Sequence, residues 1–198
     1  MTFVIYIVKR DTTVELHMRV SREKAQENRE KIVEAASRLF REHGFDGVGV
    51  DAVMKEAGLT HGGFYGHFGS KDDLAAEAVT KALERGNDRL ARFTDLDSYL
   101  RAYLSEAHCA DRGAGCGLAA LGSDAAREGK SVRRAITGYL QERIESIGRF
   151  FGGTAAAKRK RALATMSGMV GALVLARAVD DPALSKEILA AARDGLGK

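Results

Sequence analysis

An all-α fold follows from three features of the sequence. Proline occurs once in 198 residues, at Pro182, and proline is the residue that most often interrupts a helix. Alanine, leucine, glutamate and arginine, all good helix formers, are abundant. Apolar residues recur at spacings of three and four, and no run beyond the N-terminal tail alternates with the period of a strand. With 45% apolar and 29% charged residues, the chain has the balance of a folded domain rather than of a disordered tail.

Residues 1–18 read as a tail. Phe3 to Val8 is apolar but shorter than a signal-peptide core, and no small-residue cleavage site follows. It is either a stray strand or the result of an upstream start, with Met18 the alternative first residue. From Ser21 to about His43, Ile32, Val33, Ala36, Leu39 and Phe40 trace one helical stripe. Gly44 stops that helix and Phe45 plugs its end. A short helix over Val50 to Ala57 turns Val50, Val53, Met54 and Ala57 inward. Gly58 breaks it, Leu59 packs inside, and Thr60 caps a second short helix from His61 to about His67. Ser70 then caps a long helix through Lys71, Leu74, Ala78, Ala82 and Leu83.

Helical periodicity resumes at Leu96, Tyr99, Leu100, Tyr103 and Leu104, until the loop Asp111 to Gly115 interrupts it. Further helices are expected over Cys116–Arg127, Ser131–Phe151, Ala155–Asp180 and Pro182–Asp194, the last with proline in its first turn. The expectation is about nine helices, three of them in an N-terminal unit over 19–87 and the rest in a bundle over 88–198.

Composition bounds function only loosely. The net charge of +4 and pI near 9.1 agree with a nucleic-acid partner, yet between Arg19 and Leu74 nine basic side chains meet ten acidic ones. Placement of a few donors, not bulk charge, has to carry DNA binding. Two cysteines cannot build a disulfide framework and suit a reducing compartment. No apolar stretch approaches the ~20 residues that span a bilayer. A cytoplasmic protein is expected, without a membrane partner. His108, Cys109 and Cys116 lack the spacing and ligand number of a zinc site, so no metal is assigned. No acid–base dyad, nucleophile triad, phosphate-cradling loop or cofactor fingerprint is visible; neither an enzyme nor a cofactor is expected.

The sharpest motif runs from Asp51 to Phe68. Two short helices with glycine at the corner have the anatomy of a helix-turn-helix at about 49–68. Leu59 after the glycine would lock the crossing angle, and Thr60 supplies a polar cap where a helix approaches phosphate. An ordinary helix pair in an all-α core has the same spacing. Three glycines in one short helix cost roughly 1 kcal/mol each against alanine; close approach of backbone to DNA offsets that cost, and a core role does not.

The stretch Gly58-Leu-Thr-His-Gly-Gly-Phe-Tyr-Gly-His-Phe-Gly-Ser-Lys-Asp-Asp-Leu74 closely resembles the DNA-binding domain of the TetR/AcrR family of bacterial transcriptional regulators, over about Glu27 to Asn87. Gly115-Cys-Gly-Leu-Ala-Ala-Leu-Gly122 is similar to one subgroup, with Gly117 where proline is usual. The resemblance implies a homodimer that binds a double-stranded DNA operator with palindromic symmetry and releases it to a small-molecule inducer. It implies Thr60, Tyr65, His67 and Lys71 at phosphates, with His61, Gly62 and Gly63 on the face entering the major groove. Phe64 and Phe68 read as core. Gly49 stands where the family prefers a hydroxyl, and Met54 where it prefers a small residue.

Residues 88–198 would then be the regulatory, ligand-binding and dimerisation domain. Tyr99, Tyr103, Cys116, Leu121, Phe150, Met166 and Met169 are the pocket candidates. Stripes through Val132, Ile136, Leu140, Ile144 and Ile147, and through Leu163, Met166, Val170, Leu173 and Val174, would pair subunits or bury within one. Cys116, at a helix start between glycines, is either a thiol sensor of electrophiles and oxidants or a packed small residue. A helical interaction module without DNA binding is the remaining alternative. Lys158-Arg159-Lys160-Arg161 reads as a solvated face.

Overall fold

The computed structural model describes residues 11–198, with side chains from residue 22 onward other than 85, 87 and 88. Every regular element among them is helical: α1 (Asp11–His43), α2 (Val50–Glu56), the 3₁₀ helix η1 (His61–Gly66), α3 (Lys71–Leu90), α4 (Leu96–Tyr103), α5 (Glu106–Ala110), α6 (Gly117–Ala125), α7 (Lys130–Gly148), α8 (Ala155–Ala178) and α9 (Pro182–Leu196). The apolar run Phe3 to Val8 lies outside the described residues. Of the expected tail, 11–18 is helical. The apolar stripe only starts at Ile32, so periodicity gave no signal for the earlier turns; nothing between Asp11 and Ser21 breaks a helix either.

The N-terminal unit closes around α1. Ile32, Ala35, Ala36 and Phe40 are buried together with Leu74, Ala75, Ala78 and Val79 of α3. Gly44 ends α1 at φ 75° while its N–H donates to the Phe40 carbonyl at 2.8 Å, and Phe45 packs on Phe40 with ring centroids 5.3 Å apart. Gly58, at φ 71°, makes the corner after α2; only glycine enters that region cheaply. Arg38 reaches across to Glu56, joining α1 to the end of α2.

In the bundle, α3 packs on α7, α7 on α8, and α8 on α9. Val132, Ile144 and Ile147 are buried within the subunit, so that stripe on α7 is internal. The α8 stripe splits. Met166 and Leu173 face inward, while Leu163 and Val174 are exposed. Sequence periodicity also missed a break. α4 ends at Tyr103, and Ser105 caps the additional helix α5 by accepting from the His108 N–H at 3.1 Å. Asp181 caps α9, with Pro182 in its first turn as expected.

Candidate nucleic-acid interface and ligand cavity

The segment between α2 and α3 separates its two faces by residue type. Phe64 and Phe68 are buried and stacked, 5.7 Å between centroids, anchoring η1 to the core. Thr60, His61, Gly62, Gly63, Tyr65 and Gly66 are exposed, and Tyr65 keeps 70% of its surface open. A side chain added at Gly62 or Gly66 would meet nothing within 4 Å. The element is a 3₁₀ helix rather than the α-helix expected, since three glycines in six residues remove the propensity that holds an α-helical register.

Two expectations change in detail. Thr60 stands at the cap position but its hydroxyl makes no capping hydrogen bond, and so remains exposed toward solvent. Lys71 reaches back, its Nζ donating to the Phe45 carbonyl at 2.7 Å. That bond accounts for a cation in the first turn of α3 without a phosphate, and makes Lys71 a tie between the α1 end and α3. Ser70 caps α3 as expected, accepting from the Asp73 N–H at 3.1 Å. Gly49 leaves α2 without a side-chain cap.

Sequence reasoning missed two partners here. Arg29 of α1 donates to the His67 carbonyl, pairs with Glu77 of α3, and lies 4.1 Å from the Phe68 ring centroid. It fixes His67, which is half-buried, from a position 38 residues away. Asp51 of α2 pairs with the His61 ring, bringing a carboxylate to the same face. Neither pairing carries a local sequence signal.

A second concave site lies in the bundle. A cavity of about 420 Å³ is walled by α3, α4, α5, α7 and the start of α6. Of the pocket candidates, Tyr99, Tyr103 and Cys116 border this cavity. Leu121, Met166 and Met169 are packed into the core, and Phe150 stacks behind Tyr99 at 6.2 Å, so these four do not line it. Apolar side chains signal burial, not which void they border. Tyr139, Arg143, Phe93, His108, Arg89 and Arg92 line it unforeseen.

Arg143 is buried, donating from Nη1 to the Gly86 carbonyl and from Nη2 to the Tyr99 hydroxyl, each at 2.6 Å. Gly86 packs closely beside it: a Cβ there would stand 2.8 Å from the Tyr139 hydroxyl oxygen and would displace that ring's end. Gly117, in place of proline, lets α6 approach α3, its Cβ position lying 3.0 Å from that of Ala82. Burial pushes the Tyr99 phenol up to about 12, with Arg143 opposing. Burial likewise raises Tyr103, with the Cys116 thiol beside it adding to the effect, and raises Tyr139. All three hydroxyls therefore stay protonated at neutral pH. Burial lowers His108, whose Nδ1 lies 2.6 Å from the Tyr103 carbonyl.

Cys109 and Cys116 are both free thiols, and the Cys116 Sγ accepts from the Ala119 N–H at 3.5 Å. Among the described residues, no three His, Cys, Asp or Glu side chains gather as a metal site requires, and no helix is long and apolar enough to cross a membrane. Of the basic run, Arg159, Lys160 and Arg161 are exposed and Lys158 half-buried; Arg161 lies over the Phe151 ring at 4.2 Å.

Residues 32–78 match the family described as bacterial regulatory proteins, tetR family. The matched stretch runs from α1 through α2 and η1 into α3. It is 39% identical over 88 residues to the HTH-type transcriptional regulator LmrA of Bacillus subtilis, covering 42% of this chain and 47% of the relative. It is 36% identical over 78 residues to the HTH-type transcriptional regulator TtgR of Pseudomonas putida, covering 39% and 37%. The chain thus matches less than half the length of these relatives. The fold extends further. A TetR transcriptional regulator from Chloroflexus aurantiacus superposes with a TM-score of 0.73 at 25% identity, covering 88% of this chain and 94% of that one. A TetR-family regulator from Cytophaga hutchinsonii gives 0.73 at 19% identity, over 87% and 94%.

Proposed function

We propose that this protein is a cytoplasmic, sequence-specific DNA-binding repressor that acts as a homodimer and leaves a palindromic operator when a small molecule fills the bundle cavity. The observation that carries the reading is the exposed face of η1, where open glycines and a 70% exposed Tyr65 stand directly over two buried phenylalanines. Such a face admits backbone close to bases, with the tyrosine hydroxyl and Thr60 placed for phosphates. His61, Gly62 and Gly63 would face the groove, and His67 and Lys71 would add backbone contacts after exchanging their present partners.

In this reading 19–87 is the DNA-binding domain and 88–198 the regulatory one, with α3 as the link. Its first turn carries Lys71 next to η1, and its distal half lines the cavity through Ala82, Gly86 and Arg89. Those ends are about 27 Å apart at 1.5 Å per residue. A ligand that displaces the distal half tilts α3 and changes the separation of the two η1 elements from the ~34–36 Å of one DNA turn. The subunits would pair through α8 and α9, where Leu163, Val174, Leu175 and Leu184 are exposed and Gly171 has nothing within 4 Å of its Cβ position.

A thiol-sensing variant is favoured by one observation, the place of Cys116 in the cavity wall beside Tyr103. Alkylation that leaves operator affinity unchanged would remove it. The test of the main reading is a gel shift against the DNA upstream of the chain's own gene. Wild type binds with strong salt dependence, and Tyr65→Phe weakens binding several-fold on all sequences alike. No shift at any salt concentration would contradict the reading and leave a helical interaction module.

A further inference from the structure

Resting on the reading of η1 as the element that meets DNA, the geometry points to a positioning residue and to the chemical group it serves. We infer that Asp51 of α2 sets the tautomer of His61, so that the imidazole enters the major groove as a hydrogen-bond acceptor. Its partner there is the exocyclic amine of a cytosine or an adenine.

The pair is made across two elements. Asp51 stands in the first turn of α2, and His61 opens η1, where its ring Nδ1 pairs with the Asp51 Oδ1. A carboxylate has only acceptors to offer, so Nδ1 carries a proton and donates it. In the neutral ring the lone pair then belongs to Nε2. An imidazole without such a partner samples both tautomers in water, and its outer nitrogen is a donor in one and an acceptor in the other.

The ring is held while its outer edge stays open. Tyr65 stands edge-on to it, with centroids 6.4 Å apart and planes at 71°. The residue that follows is Gly62, where even a Cβ would have nothing within 4 Å. Gly63 lets η1 lie close on α2, its Cβ position 3.7 Å from the Met54 Cε, which keeps His61 within reach of Asp51. The His61 side chain nonetheless retains 55% of its surface.

Charge supplies a further reason. Asp51 is on the face offered to phosphates, where a lone carboxylate opposes binding. An acid in the first turn of a helix suits the helix dipole, but that role does not call for the imidazole. The other acid of α2, Glu56, is paired with Arg38, and Arg29 is engaged by the His67 carbonyl and Glu77. Asp51 is the acid that meets a groove-facing residue. In the major groove cytosine N4 and adenine N6 are donors, whereas purine N7, guanine O6 and thymine O4 are acceptors. A lone pair at Nε2 matches the amines alone.

The experiment is selection of sites from randomised DNA by the full chain at about pH 8.5, above the ordinary histidine value of ~6.5, followed by anisotropy titration on the selected site. The base pair read by His61 is the one whose preference disappears in His61→Ala. Removing the amine of that pair, with 2-pyrimidinone for cytosine or purine for adenine, should weaken wild type roughly fivefold more than His61→Ala. Removing the purine N7 of the same pair, as the 7-deaza base, should affect the two proteins equally. Asp51→Ala should lose the amine dependence, and Asp51→Asn, whose amide oxygen still accepts from Nδ1–H, should keep it. A helix-dipole role alone would instead change stability and overall affinity alike in both Asp51 variants and leave the amine dependence intact. That result, or a dependence on N7 in place of the amine, would overturn the inference. Site preferences that survive His61→Ala unchanged would remove it alone, whereas no enrichment of any sequence by wild type would remove the regulator reading with it.

Discussion

The N-terminal unit and the C-terminal bundle are built from the same kind of helix but specified in different ways. In the N-terminal unit, neighbours in sequence do most of the positioning. Gly44 and Gly58 turn the chain, Ser70 caps α3, and Phe64 and Phe68 anchor η1 while the residues between them stay in solvent. The bundle instead assembles its cavity from distant pieces: Gly86, Tyr99, Cys116, Tyr139 and Arg143 meet only once α3, α4, α6 and α7 are packed. Local specification tolerates little change in the anchors and much on the face. Long-range specification leaves each wall residue replaceable but the ensemble sensitive to packing.

The largest effect that sharpens this contrast is at adjacent positions of η1. Phe64→Ala should cost about 3–5 kcal/mol, the range for a buried aromatic, and melt the N-terminal unit in urea titration. Tyr65→Phe next to it should leave the unfolding midpoint within experimental spread while reducing DNA affinity. Equal stability losses at both positions would mean that the two faces are not separate.

In the bundle, Val174→Glu tests the exposed α8–α9 face. Val174 is 43% exposed, so a charge there should spare the fold and separate the subunits by sedimentation. Ile144→Glu, at a position buried within the subunit, should unfold the chain instead. A stable dimer of Val174→Glu would move the interface off α8.

The smallest effect concerns His108 at the cavity edge. Burial, followed by Arg177 and Arg89 nearby, holds its pKa below the ordinary histidine value. The unfolded state thus takes up its proton at higher pH than the folded one, so the contribution is present above about 6.5 and is lost as pH falls toward the folded value. His108→Gln should flatten the decline of Tm on acidification below that point. An unchanged slope would place the acid sensitivity elsewhere.

The difference in specification also sets what was legible beforehand. Glycine stops, the Ser70 cap and the buried pair Phe64 and Phe68 are written in local order, and the structure agrees with them. The 3₁₀ form of η1 was in the same residues, through its glycines, but a two-helix motif suggests an α-helix first. Arg29, brought 38 residues to the His67 carbonyl, and Arg143, brought 44 to Tyr99, had no local signature. Buried arginines are recognisable only when the groups that hold them are known. The outer face of α8 was half-read, because one apolar stripe supplied both the core side, Met166 and Leu173, and the exposed side, Leu163 and Val174.

The claim on which the functional account rests is that DNA comes close to the bare backbone of η1, and Gly62→Ala addresses it directly. The added methyl meets nothing within 4 Å in the free protein, and alanine is favoured over glycine in helical conformations by up to about 1 kcal/mol. Thermal unfolding should therefore be unchanged or slightly raised. Affinity for operator DNA at fixed salt, by fluorescence anisotropy, should nonetheless fall at least about tenfold, the 1.4 kcal/mol scale of one lost base-edge contact. Full operator affinity in a variant of undiminished stability would contradict the account.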